Sequence, residues 1–269
     1  MMEMYDDKNT FEKSFKNDDL PEEQIQARWA ELIELKKVIH AQSALQQKPI
    51  SILDLGIGDA RVARHLSGIP EIWDMIENYD GLDNATACVD LSNKNIAALH
   101  IDDKAHAYLH DATQLDTWNK KYHLIITTWF TPGNFYPDDF PFDTYKEKNE
   151  RLDLARNEKF QKVFLTAYQM LYTGGEIVLG SCYIDKDENR KKQESFYERL
   201  GMHLITDAGD SFTATKERFW SQRFTREKLE NYFHFVLADK IIITPLDTYN
   251  FAVQVRIKKT NGAEKNLVL

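Results

Sequence analysis

Cysteine is almost absent from this chain: Cys88 and Cys182 are the two in 269 residues. Two thiols far apart in apolar surroundings supply neither a disulfide framework nor a thiolate metal site, and they suit a reducing compartment. No apolar run is long enough to cross a bilayer. The start, Met1-Met2-Glu3-Met4-Tyr5-Asp6-Asp7, lacks the basic-then-apolar order of a secretory leader. Positive charge is also short, with 34 Lys and Arg against 43 Asp and Glu for a formal charge of −9. Such a chain has no general attraction for phosphate backbones or anionic membranes, so nucleic acid and membrane are disfavoured partners. The expectation is a soluble cytoplasmic protein. No internal repeat or low-complexity linker divides it, and nothing in the pattern fixes an oligomeric state.

What the chain does have is the stretch Ser51-Ile52-Leu53-Asp54-Leu55-Gly56-Ile57-Gly58-Asp59-Ala60. Ile50, Ile52, Leu53 and Leu55 are the residues of an interior parallel strand, and Gly56 and Gly58 allow a sharp turn and close approach to a ligand. Arg61-Val62-Ala63-Arg64-His65-Leu66 continues at helical spacing. A strand, a glycine turn and a helix N-terminus bring free N–H groups and a helix dipole together, which suits a nucleotide-like cofactor. The competing reading is a tight strand-to-helix turn in any α/β protein. A dinucleotide fingerprint needs a third glycine at position 61, where this chain has Arg61, so a nicotinamide cofactor is the weaker alternative.

The arrangement Asp54-x-Gly56-x-Gly58-Asp59-Ala60, acidic two positions before the first glycine, resembles motif I of the class I S-adenosylmethionine-dependent methyltransferases. Further motifs follow in order. Tyr79-Asp80-Gly81-Leu82-Asp83 reads as a second strand ending in Asp83, with room for a full helix over 84–100. The alternative, Ala87-Cys88-Val89-Asp90, leaves about two turns before Asp102, short for a parallel crossover. With Asp83, a short helical insertion over 71–76 must absorb a spacing longer than the roughly 20 residues of a compact unit. Residues 99–112 read as helix exit, third strand and a terminal Asp111-Ala112. Tyr122-His123-Leu124-Ile125-Ile126-Thr127-Thr128 is a clear fourth strand, running into the aromatic loop Trp129-Phe130-Thr131-Pro132-Gly133-Asn134-Phe135-Tyr136-Pro137. A helix over 150–171, stopped by Gly174-Gly175, precedes a fifth strand over 176–183.

This resemblance spans about residues 50–183 by ordered motifs. It implies a Rossmann-like, doubly wound α/β fold: a mostly parallel seven-stranded sheet with helices on both faces and a C-terminal antiparallel hairpin, here 240–244 with 251–257. It implies S-adenosyl-L-methionine as cofactor, with Asp54, Gly56 and Gly58 near its amino-acid end and Asp83, or else Asp90, on the ribose hydroxyls. Asp111 and Ala112 belong at the adenine, and Asp59, Arg61 and Thr128 are further cofactor positions. Asp111 also suits a plain turn cap. Trp129, Phe130, Asn134 and Tyr183, beyond the strands' carboxyl ends, are expected on the substrate side, with core packing the competing role for the aromatic ones. The Asn/Asp-Pro-Pro-Tyr/Phe signature of methyltransferases acting on nucleic-acid bases is missing; Thr131-Pro132-Gly133 stands there.

The organisation read from the sequence is an N-terminal arm and cap helix (1–48), a methyltransferase domain (49–258) and a polar tail (259–269). The cap helix runs from Pro21 to near Gln47 with Ile25, Trp29, Leu32, Ile33 and Ile39 as its apolar face. The implied activity is transfer of the sulfonium methyl group to a nucleophile, expected on a small molecule. A protein methyltransferase and a catalytically silent cofactor-binding protein are the alternatives. Alignment and exclusion of water can carry much of such a reaction, so no catalytic residue is assigned; His123, Tyr136 and Tyr183 are groups that could take a proton.

Overall fold

Ile50–Leu55, buried at all six positions, forms β1, an interior strand of a seven-stranded sheet. The computed structural model describes residues 20–147 and 151–260, so the expected arm before Leu20 and the tail after Thr260 lie outside the described residues. In chain order α1 (Glu22–Gln46) precedes β1, and α2 (Arg61–Ser67) and the one-turn α3 (Pro70–Trp73) lead to β2 (Ile76–Asp83). Next come α4 (Thr86–Ala98), β3 (Ala105–Leu109), β4 (Tyr122–Thr127), α5 (Glu158–Met170) and β5 (Leu171–Tyr183). After β5 stand α6 (Asp187–Arg199), a small pair β6 (Phe212–Ala214) and β7 (Trp220–Gln222), and α7 (Arg226–Tyr232). The hairpin of β8 (Ile241–Pro245) and β9 (Ala252–Lys258) follows.

The strand order is β3-β2-β1-β4-β5-β9-β8. β1 to β5 pair in parallel, and β9 runs antiparallel to both its neighbours. Parallel strands need crossovers that cover both faces, which is why β1 and β4 show no polar alternation. On one face Leu53, Leu55 and Ile125 meet Phe160 and Phe164 of α5 and Phe233 beyond α7. On the other, Ile52, Leu124 and Ile126 meet Leu35 and Ile39 of α1 and Val62 and Leu66 of α2. Burial of each such side chain contributes about 1.5–3 kcal/mol, so the sheet position is set mainly by these two layers. Among the described residues no helix is long and apolar enough to cross a membrane.

β2 ends at Asp83, while Asp90 is exposed on α4, which decides the second strand's register. Several expectations need correction. The expected apolar face of α1 is turned away: Ile25, Trp29 and Ile33 are 40%, 56% and 48% exposed, and only Leu32 and Ile39 of that set are buried. The inward stripe instead carries Gln24, Ala27, Glu31, Leu35, Val38 and Gln42. Its polar members have partners: the Gln42 amide donates to Glu176 Oε1 (3.0 Å) and to the Gly174 carbonyl (3.1 Å). The helical insertion expected over 71–76 ends at Trp73: residues 74 and 75 are a turn, and β2 begins at Ile76.

The helix expected over 150–171 starts at Glu158, because the Asn157 side chain accepts from Phe160 N–H (3.0 Å) and caps it there. It stops when Leu171 becomes extended, so Gly174-Gly175 lie within β5 rather than ending a helix. The β6–β7 pair had no counterpart in the sequence reading.

Candidate functional site

The order of strands reverses between β1 and β4, and beyond their carboxyl ends lies a cavity of about 1860 Å³. Single small-molecule sites occupy roughly 300–1,000 Å³, so this one has room for two ligands side by side. One side is made by the turn after β1 and the ends of β2 and β3. The other is made by the loop after β4, the end of β5, and the α6 to β7 segment.

On the first side the backbone of Gly56 (φ +79°) and Gly58 (φ +61°) turns through the left-handed region. A Cβ on Gly56 would sit 2.7 Å from Thr131 Cγ2, so only glycine leaves this cradle open. Gly56 and Ile57 N–H groups both donate to the Leu82 carbonyl (2.8 and 3.0 Å), pinning the turn to β2. Asp83 then accepts from Gly58 N–H through Oδ2 and from Ala85 N–H through Oδ1, both at 3.0 Å. Burial pushes its carboxyl above the ordinary range despite those bonds. From α4, Ser92 Oγ donates to the Gly58 carbonyl (2.8 Å) and Asn95 Nδ2 to the Asp59 carbonyl (2.9 Å). Asp59 in turn accepts from Arg61 N–H and pairs with Arg64 (2.8 Å).

Asp54 is 1% exposed and does not line the cavity. It sits in β1, where Tyr79 donates a 2.5 Å hydrogen bond to Oδ2, while Oδ1 has no partner among the described residues. Burial pushes its carboxyl up to about 7, against the opposing pull of the Tyr79 bond. Asp111 and Ala112 line the cavity at the end of β3. There Asp111 acts as a cap, accepting from Thr113 N–H at 2.8 Å and opening the 3₁₀ turn Ala112–Thr117. Thr128, just past β4, is buried and lines the cavity as well.

The second side begins with two consecutive non-glycine residues in left-handed conformation, Trp129 (φ +53°) and Phe130 (φ +61°). Such residues cost of order 1–3 kcal/mol each and need surroundings that hold them. The holder is Glu31 on α1, which is fully buried. Its Oε2 accepts from Trp129 N–H (2.9 Å) and from Ser181 Oγ (2.6 Å), and its Oε1 pairs with Arg61 Nη2 (3.0 Å). One carboxylate thus ties the cap helix to the glycine-turn helix, the exit of β4 and the body of β5. The guanidinium carbons of Arg28 and Arg61 lie 5.1 and 5.2 Å from the Trp129 ring centre.

Phe130 stacks on Tyr183 at 3.8 Å and 10°. Both line the cavity, as do Trp129 and Asn134. Phe135, also in the aromatic loop, sets its ring edge-on against Phe160 and Phe164 and belongs to the core as much as to the cavity.

The sequence reading missed Glu31, Arg28, Ser181, Ser92 and Asn95. A signal existed for the first: positions 24, 27, 31, 35, 38 and 42 follow the 3–4 helical spacing and include Glu31 among apolar residues. Of the three groups considered for proton transfer, His123 lies near the start of β4, accepting from Ser51 N–H at Nδ1 (3.0 Å), and is outside the cavity lining. Tyr183 lines the cavity, and burial pushes its phenol well above the ordinary range, so it is neutral near pH 7. Tyr136 lines the cavity with the Lys159 ammonium 4.5 Å from its ring centre.

No protein-family model and no curated protein matches the chain by sequence. Solved structures do. An S-adenosylmethionine-dependent methyltransferase from Clostridium acetobutylicum superposes with a TM-score of 0.55 at 12% identity, over 96% of this chain and all of the other. The CcbJ methyltransferase from Streptomyces caelestis gives 0.56 at 12% identity, over 90% and 94% of the two chains. CalS10, an S-adenosylmethionine-bound amino pentose methyltransferase from Micromonospora echinaspora, gives 0.50 at 13% identity over 85% and 92%. With its strand order and its single antiparallel strand, the chain has the class I, Rossmann-like fold of the S-adenosylmethionine-dependent methyltransferases.

Proposed function

We propose that the chain is an S-adenosylmethionine-dependent methyltransferase acting on a small molecule. The observation that carries this reading is the Asp83 carboxylate at the end of β2, held by Gly58 and Ala85 N–H groups beside the glycine cradle. A carboxylate anchored in that way keeps lone pairs for two vicinal hydroxyls, the feature a ribose presents. The chain's residues fit the cofactor. The cradle at Gly56 is one that a Cβ would fill, and Asp111 and Ala112 stand one strand further along, where an adenine extending from that ribose would lie. Arg28 and Arg61 offer guanidinium groups near the turn for the carboxylate of the amino-acid end, and Arg61 Nη1 is buried without a partner among the described residues. Asp54, one layer below, supports the turn through β1.

Bound there, the cofactor supplies an electrophilic methyl group whose departure leaves a neutral thioether. The protein's part is to orient the two ligands and exclude water, with Trp129, Phe130 and Tyr183 as the wall between them. The acidic chain, the missing nucleic-acid-base signature and a cavity with room for a second ligand beside the cofactor support a small acceptor. One of the similar structures, CalS10, is that of an amino pentose methyltransferase.

Calorimetric titration with S-adenosylhomocysteine and NAD tests the reading. Micromolar binding of the first, lost in Asp83→Ala and kept in Asp90→Ala, is expected. Binding of NAD instead, or no binding of S-adenosylhomocysteine, overturns it.

A further inference from the structure

The second side of the cavity has a chemistry of its own. Its walls come from four separate stretches: Tyr136 after β4, Tyr183 on β5, Phe196 and Tyr197 on α6, and Phe219 and Trp220 at β7. The rings are locked by one another. Tyr197 and Phe219 meet at 4.4 Å, Trp220 stacks on Phe212 at 3.9 Å and 19°, and Tyr183 stacks on Phe130. Tyr136, Phe196 and Phe219 are half-buried and give ring surface to the cavity while the buried rings hold them, which favours a flat apolar ligand because little side-chain freedom is lost on binding.

Charge sharpens the choice. None of these six wall residues is a carboxylate. The nearest in sequence among the lining residues, Asp138 and Asp139, are exposed, and Asp138 is already paired with Lys159 at 2.6 Å. Of the cations that line the cavity, Arg28 stands by Trp129, and Arg218 is exposed and paired with Asp143 at 3.3 Å. An aromatic box alone could attract an ammonium group. Here that group would lie beside the sulfonium of the proposed cofactor, with no carboxylate among the six wall residues to balance it. Trp220 adds a polar cue: the residue is 1% exposed, and its Nε1 hydrogen has no acceptor among the described residues. An oxygen on a ligand can take such a donor.

We infer that the acceptor is a flat aromatic molecule carrying no positive charge, neutral or anionic, with an oxygen substituent. This rests on the methyltransferase reading for its role as acceptor, but the binding preference can be measured separately. The test uses the full chain, with and without saturating S-adenosylhomocysteine, and four probes of one size: 2-naphthol, 2-naphthoate, 2-naphthylmethylammonium and decahydro-2-naphthol. Calorimetry is expected to show the first two binding at least tenfold more tightly than either the ammonium or the saturated alcohol. Phe219→Ala should erase at least fivefold of the preference for naphthol over its saturated analogue. Trp220→Phe, which keeps a ring and removes the donor, should weaken naphthol binding about threefold.

Equal or tighter binding of the ammonium, or no discrimination between flat and saturated rings, overturns the inference on the wild-type chain alone, whatever the variants do. If S-adenosylhomocysteine binds and the naphthyl preference is absent, the acceptor class is wrong and the methyltransferase reading stands. If the preference is present and S-adenosylhomocysteine does not bind, the methyltransferase reading falls and only an aromatic-binding cavity is supported.

Discussion

On the side of the cavity formed by β1, β2 and β3, polar contacts join the backbone of one turn to side chains close by in the chain. Asp83, Ser92 and Asn95 reach Gly58 and Asp59 from 25 to 36 positions away. On the other side the contacts join distant stretches. Glu31 reaches Trp129 across 98 positions and Ser181 across 150, and the aromatic wall draws on α6 and β7 as well as the exits of β4 and β5. The difference teaches that the first side is a local motif, re-formed wherever a strand, a glycine turn and a helix follow one another. The second exists only once the sheet and its appended segments have closed around it.

The variant expected to break that contrast most severely is Glu31→Ala, because this carboxylate serves both sides. It leaves Arg61, Trp129 N–H and Ser181 Oγ short of their partner, and removing one member of a buried pair costs about 3–5 kcal/mol. Chemical denaturation should show that loss, and both S-adenosylhomocysteine and naphthol binding should weaken together. Loss of only one would assign Glu31 to one side.

Asp83→Ala should sharpen the contrast. About a hundredfold loss of S-adenosylhomocysteine affinity, near 2.7 kcal/mol, is expected by calorimetry, with naphthol affinity unchanged. Gly180→Ala acts from the second side. A Cβ there would overlap Glu31 Oε2 and stand 2.9 Å from Thr128 Cα, an overpacking of about 1–3 kcal/mol that should lower the melting temperature.

Asp54 supplies a pH-dependent comparison. Its carboxyl, raised to about 7, keeps a proton in the folded chain that an unfolded chain releases near pH 4. The folded state therefore binds more protons between those values. This contribution to stability is fully present at low pH and is lost as pH rises through 7, at about 1.4 kcal/mol per unit inside the window. Asp54→Asn, which cannot titrate, should flatten that part of the curve of melting temperature against pH; an unchanged curve would mean the carboxyl titrates normally. Asp90→Ala, on the exposed face of α4, should change stability by less than about 0.5 kcal/mol and leave both ligands alone.

The contrast also accounts for what was legible in the sequence. The β1 turn, the Asp83 strand end, the Asp111-Ala112 exit and the β4 run could be read because strand periodicity and glycine placement are local signals. The α1 face was misread for a physical reason. Its inner stripe carries Gln24, Glu31 and Gln42, and a search for apolar residues favours the exposed Ile25, Trp29 and Ile33 instead. The start of α5 was misread because residues 151–157 form no helix and Asn157 supplies the cap. The first error falls where long-range partners override local preference, and the second where a local cap sets the helix start.

The sequence by itself determined the α/β class, the order of the strands' motifs and the glycine turn that opens beside Asp83. These follow from backbone sterics and from which residues can be buried on a parallel strand. Only the tertiary structure decided that Asp54 lies beneath the turn, that Glu31 binds three separate elements, and that aromatic rings from four stretches line one side of the cavity. Those arrangements depend on contacts between residues far apart in the chain, and no local preference encodes which distant partner a buried polar or aromatic group will meet.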